Sequence, residues 1–473
     1  MFYKKDNTQF EELKPLARQC SGKIYADVPL NFFENIDALK NYVITLKEMG
    51  VNTLLILPHF LPSFSAYVVK NYEKPCKLFG TWEIFADFMK FVKDLDMDRM
   101  IDIPFNHADW SADNLKREWF ISSESGGIEA GADDEDADKN RVRINWGAFV
   151  LDNSITELQD YWLEKVIYPH IEKMHVNAIR IDAAWGLDRK GLKRIVSKTK
   201  AKFGDKVWFL AENLGMAKLI ELAESGLAAG ADRFFNNMYW YSGGLYIPTD
   251  IYTFYKRSEG APTCTIYSSH DTLFPAMKGL AKLRSDELKG LNDKGIVRKF
   301  VEYEKITSLS ELEEMTQQRV ITLMKQDFAL ASLMSSDVMF AAGSEKALFE
   351  RINVCDSNAD SFKKGIESDL PGFMKTILRI KSSERIFNAE GVVIPFGAWK
   401  PEDNGIKGYL KSTDEGKHLL VAVNNANCDL ECRIPKRMRK LGKGCVYSDK
   451  GRQITSLPQR MIISKGQILI ITA

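Results

Sequence analysis

The chain has 473 residues, 45% hydrophobic and 27% charged, an ordinary globular balance that excludes large-scale disorder in a chain too long for one small core. Its 65 basic side chains meet 64 acidic ones, and a net charge of +1 gives no electrostatic pull toward nucleic acid or an anionic membrane. No apolar run reaches the ~18 residues of a membrane span, and the first residues carry no leader-like apolar core. Seven cysteines, at 20, 76, 264, 355, 428, 432 and 445, are odd in number and form no CxxC pattern. Cys428, Cys432 and Cys445 read as core cysteines rather than metal ligands. The expectation is a cytoplasmic protein with no membrane or nucleic-acid partner.

In chain order, residues 22–28 read as a first strand. Ile36, Leu39, Val43 and Leu46 recur at helical spacing, and Gly50 stops that helix before the apolar run 51–57. Strand, helix, strand is the parallel crossover unit, and it repeats. Phe85, Phe88, Met89 and Val92 mark the next helix, and 99–104 the third strand. A polar, Gly-rich excursion follows, 107–153, whose acidic run 131–138 lacks the Gly turn and closing Glu of a calcium loop and reads as a solvated tip. The alternation resumes with a helix over 156–173, a strand through Ala178, Ile179 and Ile181, a helix over 192–203 and a strand over 207–211. A helix through Met216, Leu219, Ile220 and Ala223 comes next, followed by strands at 232–235 and 263–267. A charged helical insertion spans 280–312, then come a helix over 321–334, a short strand at 338–341 and a last segment over 373–380 that closes the series.

Eight strands alternating with helices predict an α/β fold, a closed (β/α)8 TIM barrel over 1–385 with the excursion after its third strand. After residue 385 short runs at 391–394, 419–424, 460–464 and 467–472 alternate with Gly, Asn and Lys turns. They predict a C-terminal antiparallel β-sandwich domain over 386–473.

In such a barrel reactive side chains sit at the carboxyl ends of strands, and here polar residues interrupt the apolar pattern at those ends. Strand three ends in Asp102, Asn106 and His107, strand four in Arg180 and Asp182, strand five in Glu212, and strand seven in Ser269, His270 and Asp271. Arg180 and Asp182, two apart on a strand, face the same way, and alone they could be an ordinary structural ion pair. With Glu212 and Asp271 they form a set suited to glycoside hydrolysis with retention: one carboxylate attacks the anomeric carbon and a second protonates the leaving oxygen, then deprotonates water. Arg180 is expected to hold Asp182 ionised, and crowding by two anions to raise Glu212.

Asp102-x-x-x-Asn106-His107, Arg180-x-Asp182, Glu212 after an apolar strand, and His270-Asp271 resemble the four short signatures of the α-amylase family, in order. Tyr67-Val-Val-Lys-Asn-Tyr72 and Phe79-Gly80-Thr81-Trp-Glu83-Ile-Phe85 are similar to its tyrosine-bearing loop and the helix start that follows. The resemblance covers roughly residues 20 to 345. It implies that Asp182 is the nucleophile, Glu212 the general acid/base and Asp271 the carboxylate that grips sugar hydroxyls. It implies that Arg180, His107 and His270 bind the sugar at the cleavage site, and that Tyr67 lies beneath it, with Tyr72 as the other tyrosine of the loop. The implied substrate is an α-glucan or its oligosaccharides, cleaved mainly at α-1,4 bonds, and the chemistry requires no cofactor.

Departures bear on detail. The segment after the nucleophile usually reads Ala-Lys-His in α-amylases, and here the last two positions are Trp185 and Gly186. Asn106 matches a calcium ligand, but Gly186 replaces the histidine that supplies another, so structural calcium stays open. Val68 stands where the family usually has aspartate. Arg180-x-Asp182-x-x-x-Gly186-Leu187 and Leu210-Ala-Glu-Asn-Leu-Gly215 resemble the related 4-α-glucanotransferases, so transfer is the alternative to hydrolysis. A catalytically silent barrel that binds glucan or protein is the reading from another class.

Overall fold

The computed structural model describes residues 10–11, 22–121, 147–212, 229–236, 262–272, 274–284, 305–350, 352, 354–355, 357–397 and 405–473. Eight parallel strands close on themselves: β1 (Ile24–Val28), β2 (Thr53–Ile56), β3 (Asp98–Ile103), β4 (Ala178–Ile181), β5 (Trp208–Ala211), β6 (Arg233–Phe235), β7 (Thr263–Ile266) and β8 (Asp337–Ala341). Each pairs with its neighbour in sequence, and β8 returns to β1 through Val338 opposite Ile24.

The period-2 geometry of a strand decides what fills this barrel. Tyr25, Leu55, Met100, Ala178, Leu210, Phe235 and Met339 form one buried cluster in the interior. The alternate residues, such as Ile24, Ala26, Ile101, Ile179 and Phe209, belong to the large core shared with the outer helices. Two residues beyond the inward apolar ones, on the same parity, stand Asp27, Asp102, Arg180 and Glu212, all nearly or fully buried. The carboxyl mouth of the barrel is therefore floored by charge resting on a layer of hydrocarbon.

The helices pack outside. In α1 (Ile36–Met49) the Asn35 side chain accepts from the Ala38 N–H at the start, and Gly50, at φ 106°, ends the helix in a left-handed conformation that suits glycine. Thr81 caps α2 (Trp82–Asp94) in the same manner. The helix expected over 156–173 is present as Thr156–Tyr161, Trp162–Ile167 and Tyr168–Lys173, its middle turn wound as a π-helix. Next come α4 (Arg189–Phe203), α5 (Pro275–Leu283), α6 (Glu314–Met334) and α7 (Leu370–Lys381). The segment expected at 373–380 is therefore the helix α7. The expected helix at 216–223, most of the 280–312 insertion and the acidic run 131–138 lie outside the described residues.

The excursion after β3 begins with the two-residue strand His107–Ala108, paired with Phe149–Val150. A hairpin not expected from the sequence, Phe60–Pro62 with Val69–Pro75, follows β2 and carries the tyrosine loop at its tip.

The C-terminal module is antiparallel. Its strands are β9 (Val392–Gly397), β10 (Ile406–Ser412), β11 (His418–Asn424), β12 (Leu430–Arg433), β13 (Lys443–Ser448), β14 (Gly451–Ser456), β15 (Arg460–Ile463) and β16 (Ile468–Thr472). One sheet runs β14-β13-β16-β11-β10-β9, with Phe10–Glu11 from the start of the chain added beside β14, and β12 pairs with β15 in a second layer. Leu410, Leu420, Ala422, Cys432, Ile463 and Ile471 fill the space between the layers. The opposite face docks on α6, where the Tyr409 hydroxyl donates to the Leu330 carbonyl at 2.9 Å and Lys407 pairs with Asp327 at 2.8 Å.

Candidate active site

The mouth of the barrel is organised by one guanidinium. Arg180, 2% exposed, pairs with Asp102 through Nη1, which also lies 3.1 Å from Asp182 Oδ1, while its Nη2 lies 2.9 Å from Glu212 Oε1. The side chain comes from β4 and its partners from β3, from the end of β4 and from the end of β5. The β3–β4 register sets Asp102 directly opposite Arg180. A planar fork with several donors suits this bridging, which a lysine point charge could not reproduce.

The nearby backbone contributes too. Ala183, next after Asp182, has φ 45° and ψ 41°, a left-handed conformation uncommon for a residue with a Cβ. Its N–H donates to Glu212 Oε2 at 2.6 Å. Glu212 is thus held between a cation and a backbone donor, not crowded by anions alone as the sequence suggested.

The remaining expected residues close the ring. His107 Nε2 lies 3.9 Å from Asp182 Oδ2, and burial pushes the imidazole down to about 3, so it is neutral near pH 7. The Tyr67 hydroxyl donates to Asp102 Oδ2 at 2.6 Å, and its ring stacks on His270 with centroids 5.0 Å apart at 18°. Of the two tyrosines in that loop, Tyr67 belongs to the site. Tyr72 is fully buried, donates to the carbonyls of Pro104 and His107, and packs edge-on to Trp162. His270 Nε2 lies 3.1 Å from Asp271 Oδ2, and Asp271, its side chain 39% exposed, faces the opening close enough for its charge to be felt at Asp182 and Tyr67.

Electrostatics here are governed by burial. Burial pushes the Asp182 carboxyl well above the ordinary carboxylate range, Glu212 adds to the rise, and Arg180 opposes it. The expectation that Arg180 alone would keep Asp182 low is thereby corrected: the cation acts, but desolvation outweighs it. Asp102 is raised to about 6, again first by burial, with Arg180 and the Tyr67 hydrogen bond pulling it down.

Two residues were not singled out from sequence. Asp102 entered only as part of a motif, yet it lies at the centre of the network. Asp27, at the end of β1, accepts from both the backbone N–H and Nδ1 of His270 at 2.9 Å. An aspartate inside the apolar run Ile24–Val28, on the inward parity, was the available signal.

Asn106 stands apart from the guanidinium network. Its Oδ1 is buried without a hydrogen-bond partner, and a Cβ built on Gly186 would lie 2.7 Å from it. Calcium takes about six to eight oxygen ligands. Among the described residues no group of three or more His, Cys, Asp or Glu is placed to hold a metal ion, so the described donors around Asn106 do not fit a calcium site.

Beside the site a groove of about 810 Å³ runs along the same rim. Its walls include Pro29, Leu30 and Phe33 after β1, Ser63 to Ala66 leading into Tyr67, and Val354 and Cys355 after β8. Phe64, 53% exposed, projects on it.

A closed eight-stranded parallel barrel with an excursion after β3 and a C-terminal antiparallel module is the fold of the α-amylase-family enzymes, as solved structures bear out. The α-amylase of Geobacillus thermoleovorans, solved with acarbose, superposes with a TM-score of 0.67 at 14% identity, covering 96% of this chain and 98% of that one. A maltogenic α-amylase from Thermotoga neapolitana gives 0.65 at 16% identity, covering 96% and 98%. Trehalose-6-phosphate hydrolase from Bacillus licheniformis gives 0.65 at 11%, covering 95% and 98%. In sequence the chain is 23% identical over 188 residues to a probable oligo-1,6-glucosidase of Bacillus subtilis, a match spanning 33% of this chain and about a third (32%) of that relative. No protein-family model matches the chain. Among the described residues no helix is long and apolar enough to cross a membrane.

Proposed function

We propose that this protein is a retaining glycosidase acting on α-glucosidic bonds, mainly α-1,4, of starch- or glycogen-derived glucans. The observation that carries the reading is the clamp in which one buried guanidinium holds Asp182 at 3.1 Å and Glu212 at 2.9 Å, with the charge of Asp271 reaching the same centre. Two carboxylates on one cation lie within reach of a single glycosidic bond, which double displacement requires.

In this reading Asp182 attacks the anomeric carbon as Glu212 gives its proton to the departing oxygen, and a glycosyl ester forms on Asp182. Glu212, now a carboxylate, takes a proton from water, whose oxygen attacks the same carbon and restores Asp182. The oxocarbenium-like transition state is cationic, so it favours the ionised form of Asp182 that burial alone resists. Asp271, His270, His107 and Tyr67 orient the ring, and no step needs a metal. The groove of about 810 Å³ gives further sugar units a place on the same rim, which supports an oligosaccharide rather than a monosaccharide glycoside.

The test is turnover of maltooligosaccharides by purified protein with product analysis. The expected result is cleavage with retained anomeric configuration, lost in Asp182→Asn. In Glu212→Gln the rate is expected to fall about 10²- to 10⁴-fold for sugar leaving groups and far less for aryl glucosides, whose departure needs little protonation. No turnover by the wild type, or unchanged turnover by Asp182→Asn, overturns the reading. Products longer than the donor would instead establish transfer, in which a sugar hydroxyl replaces water at the same intermediate.

A further inference from the structure

We propose that Asp27 is a positioning residue of this site, acting through His270: it fixes the imidazole as a doubly protonated bridge whose far N–H is presented to Asp271. The inference rests on the glycosidase reading for its consequence in turnover, but not for its geometry.

Asp27 is fully buried at the carboxyl end of β1, and its Oδ2 accepts two hydrogen bonds from one residue on the loop after β7, the His270 backbone N–H and Nδ1, each at 2.9 Å. Across the ring, Nε2 faces Asp271 Oδ2 at 3.1 Å. An ionised carboxylate only accepts, so an imidazole between two of them satisfies both only when both nitrogens carry protons. The ring is fixed from a third side by Tyr67, stacked at 5.0 Å, whose hydroxyl in turn is bound to Asp102. The groups that face His270 are therefore Asp27 from β1, Asp271 from its own loop, Tyr67 from the hairpin after β2, and Asp102 from β3 behind it.

A carboxylate serving only as a structural tie would be expected to satisfy both oxygens, yet Asp27 Oδ1 is buried with no hydrogen-bond partner. Its free energy is committed to one contact, with His270. Burial would lower the imidazole, but Asp271 and Asp27 together outweigh it and raise His270 well above its ordinary value. The arrangement has a direct consequence for Asp271. With a fixed cation at its back, its ionised form is favoured and its orientation set before a sugar arrives.

The experiment is a ¹⁵N-histidine NMR titration of the wild type, assigned with His270→Gln, followed by pH profiles of kcat/KM for wild type and Asp27→Asn. In the wild type both His270 nitrogens are expected to remain protonated well above pH 7. The nearly isosteric Asp27→Asn keeps an acceptor but removes the charge. His270 should then lose its proton about one to three pH units lower, and the alkaline limb of kcat/KM should move down with it. At pH 8 this gives a loss of tenfold or more, and at pH 6 little change. A wild-type His270 that titrates near its ordinary value overturns the assignment without any variant. So does a folded Asp27→Asn protein with an unshifted His270 and a superimposable profile. Absence of turnover in the wild type would overturn the glycosidase reading alone, and the NMR titration would still decide the role of Asp27.

Discussion

The Tyr67 hydroxyl donates to Asp102 Oδ2 at 2.6 Å, and the same oxygen receives Arg180 Nη1, so a tyrosine from a loop and an arginine from β4 converge on one carboxylate atom. Asp102 Oδ1 has no hydrogen-bond partner, which leaves the stabilisation of this fully buried group to that single oxygen.

Tyr67→Phe is therefore expected to destabilise the protein by about 1.5–3 kcal/mol at pH 7, the range for a hydrogen bond to a charged group. The loss should depend on pH. Asp102 is raised to about 6, so between roughly pH 4 and 6 the native state holds a proton that the unfolded chain has released, and this group's contribution falls as pH rises through that window. The hydroxyl matters most once Asp102 is ionised. Urea unfolding of both proteins at pH 5 and pH 7 should show the larger difference at pH 7; equal differences would mean that the hydroxyl does not stabilise the anion.

Arg180→Met should cost more. It leaves Asp102, Asp182 and Glu212 in a buried mouth without the guanidinium, and stranding buried charge costs about 3–5 kcal/mol. The carboxyls would take up protons in compensation, so the penalty should shrink at pH 4.5 relative to pH 7. Arg180→Lys is expected to recover only part of the loss, because one ammonium cannot span the partners that the fork reaches. Denaturant midpoints at the two pH values test both statements.

What could be read from the chain follows from strand geometry. A charged residue on the inward parity of an apolar strand is conspicuous, and that made Arg180, Asp182 and Glu212 visible, while Gly50 and the Thr81 cap made α1 and α2 visible. Asp27 had the same parity but lies just before Pro29 and resembled a turn residue. The sharing of one guanidinium among carboxylates from different strands is a three-dimensional fact, because a spacing of two along β4 shows only Asp182. The strand β10, Ile406–Ser412, escaped because Lys407 and Lys411 made it look like a solvated turn, although both are buried. The hairpin after β2 was hidden by Pro62, Pro75 and its lysines, which interrupt the period-2 pattern.

Phe64 offers a test of the groove. It is 53% exposed on the wall that leads into Tyr67, and an aromatic face on such a rim suits the apolar face of a sugar ring. Phe64→Ala is expected to raise KM for maltopentaose several-fold while leaving KM for maltose within a factor of two, with kcat little changed for both. Stability should stay within about 0.5 kcal/mol, as for surface substitutions generally. Steady-state kinetics on the two substrates decide the matter; a uniform change in KM would place the longer chain elsewhere.

The last prediction concerns the joint between the barrel and the C-terminal module. Lys411 of β10 is fully buried, donating to the carbonyls of Ala389 at 3.1 Å and Phe387 at 3.4 Å, and Lys381 of α7 reaches the same Phe387 carbonyl at 3.4 Å. Burial first, then the charge of Lys381, push Lys411 down to about 7, while Glu390 pulls the other way. The unfolded lysine titrates near 10.4, so between about pH 7 and 10 the unfolded chain binds the extra proton and the penalty of burying the ammonium is relieved as pH rises. Below pH 7 that penalty is complete. Lys411→Met removes it but leaves two carbonyls with one donor fewer, so the net change at pH 7 is set by two opposed effects of about 1–3 kcal/mol each. The pH dependence has only one sign. Relative to wild type, the variant should lose ground steadily as pH rises from 7 to 10, because the wild type alone gains stability from shedding that proton. Urea unfolding at three pH values measures the slope, and a difference between the two proteins that is flat with pH would show that Lys411 enters the native state with its ordinary affinity for a proton.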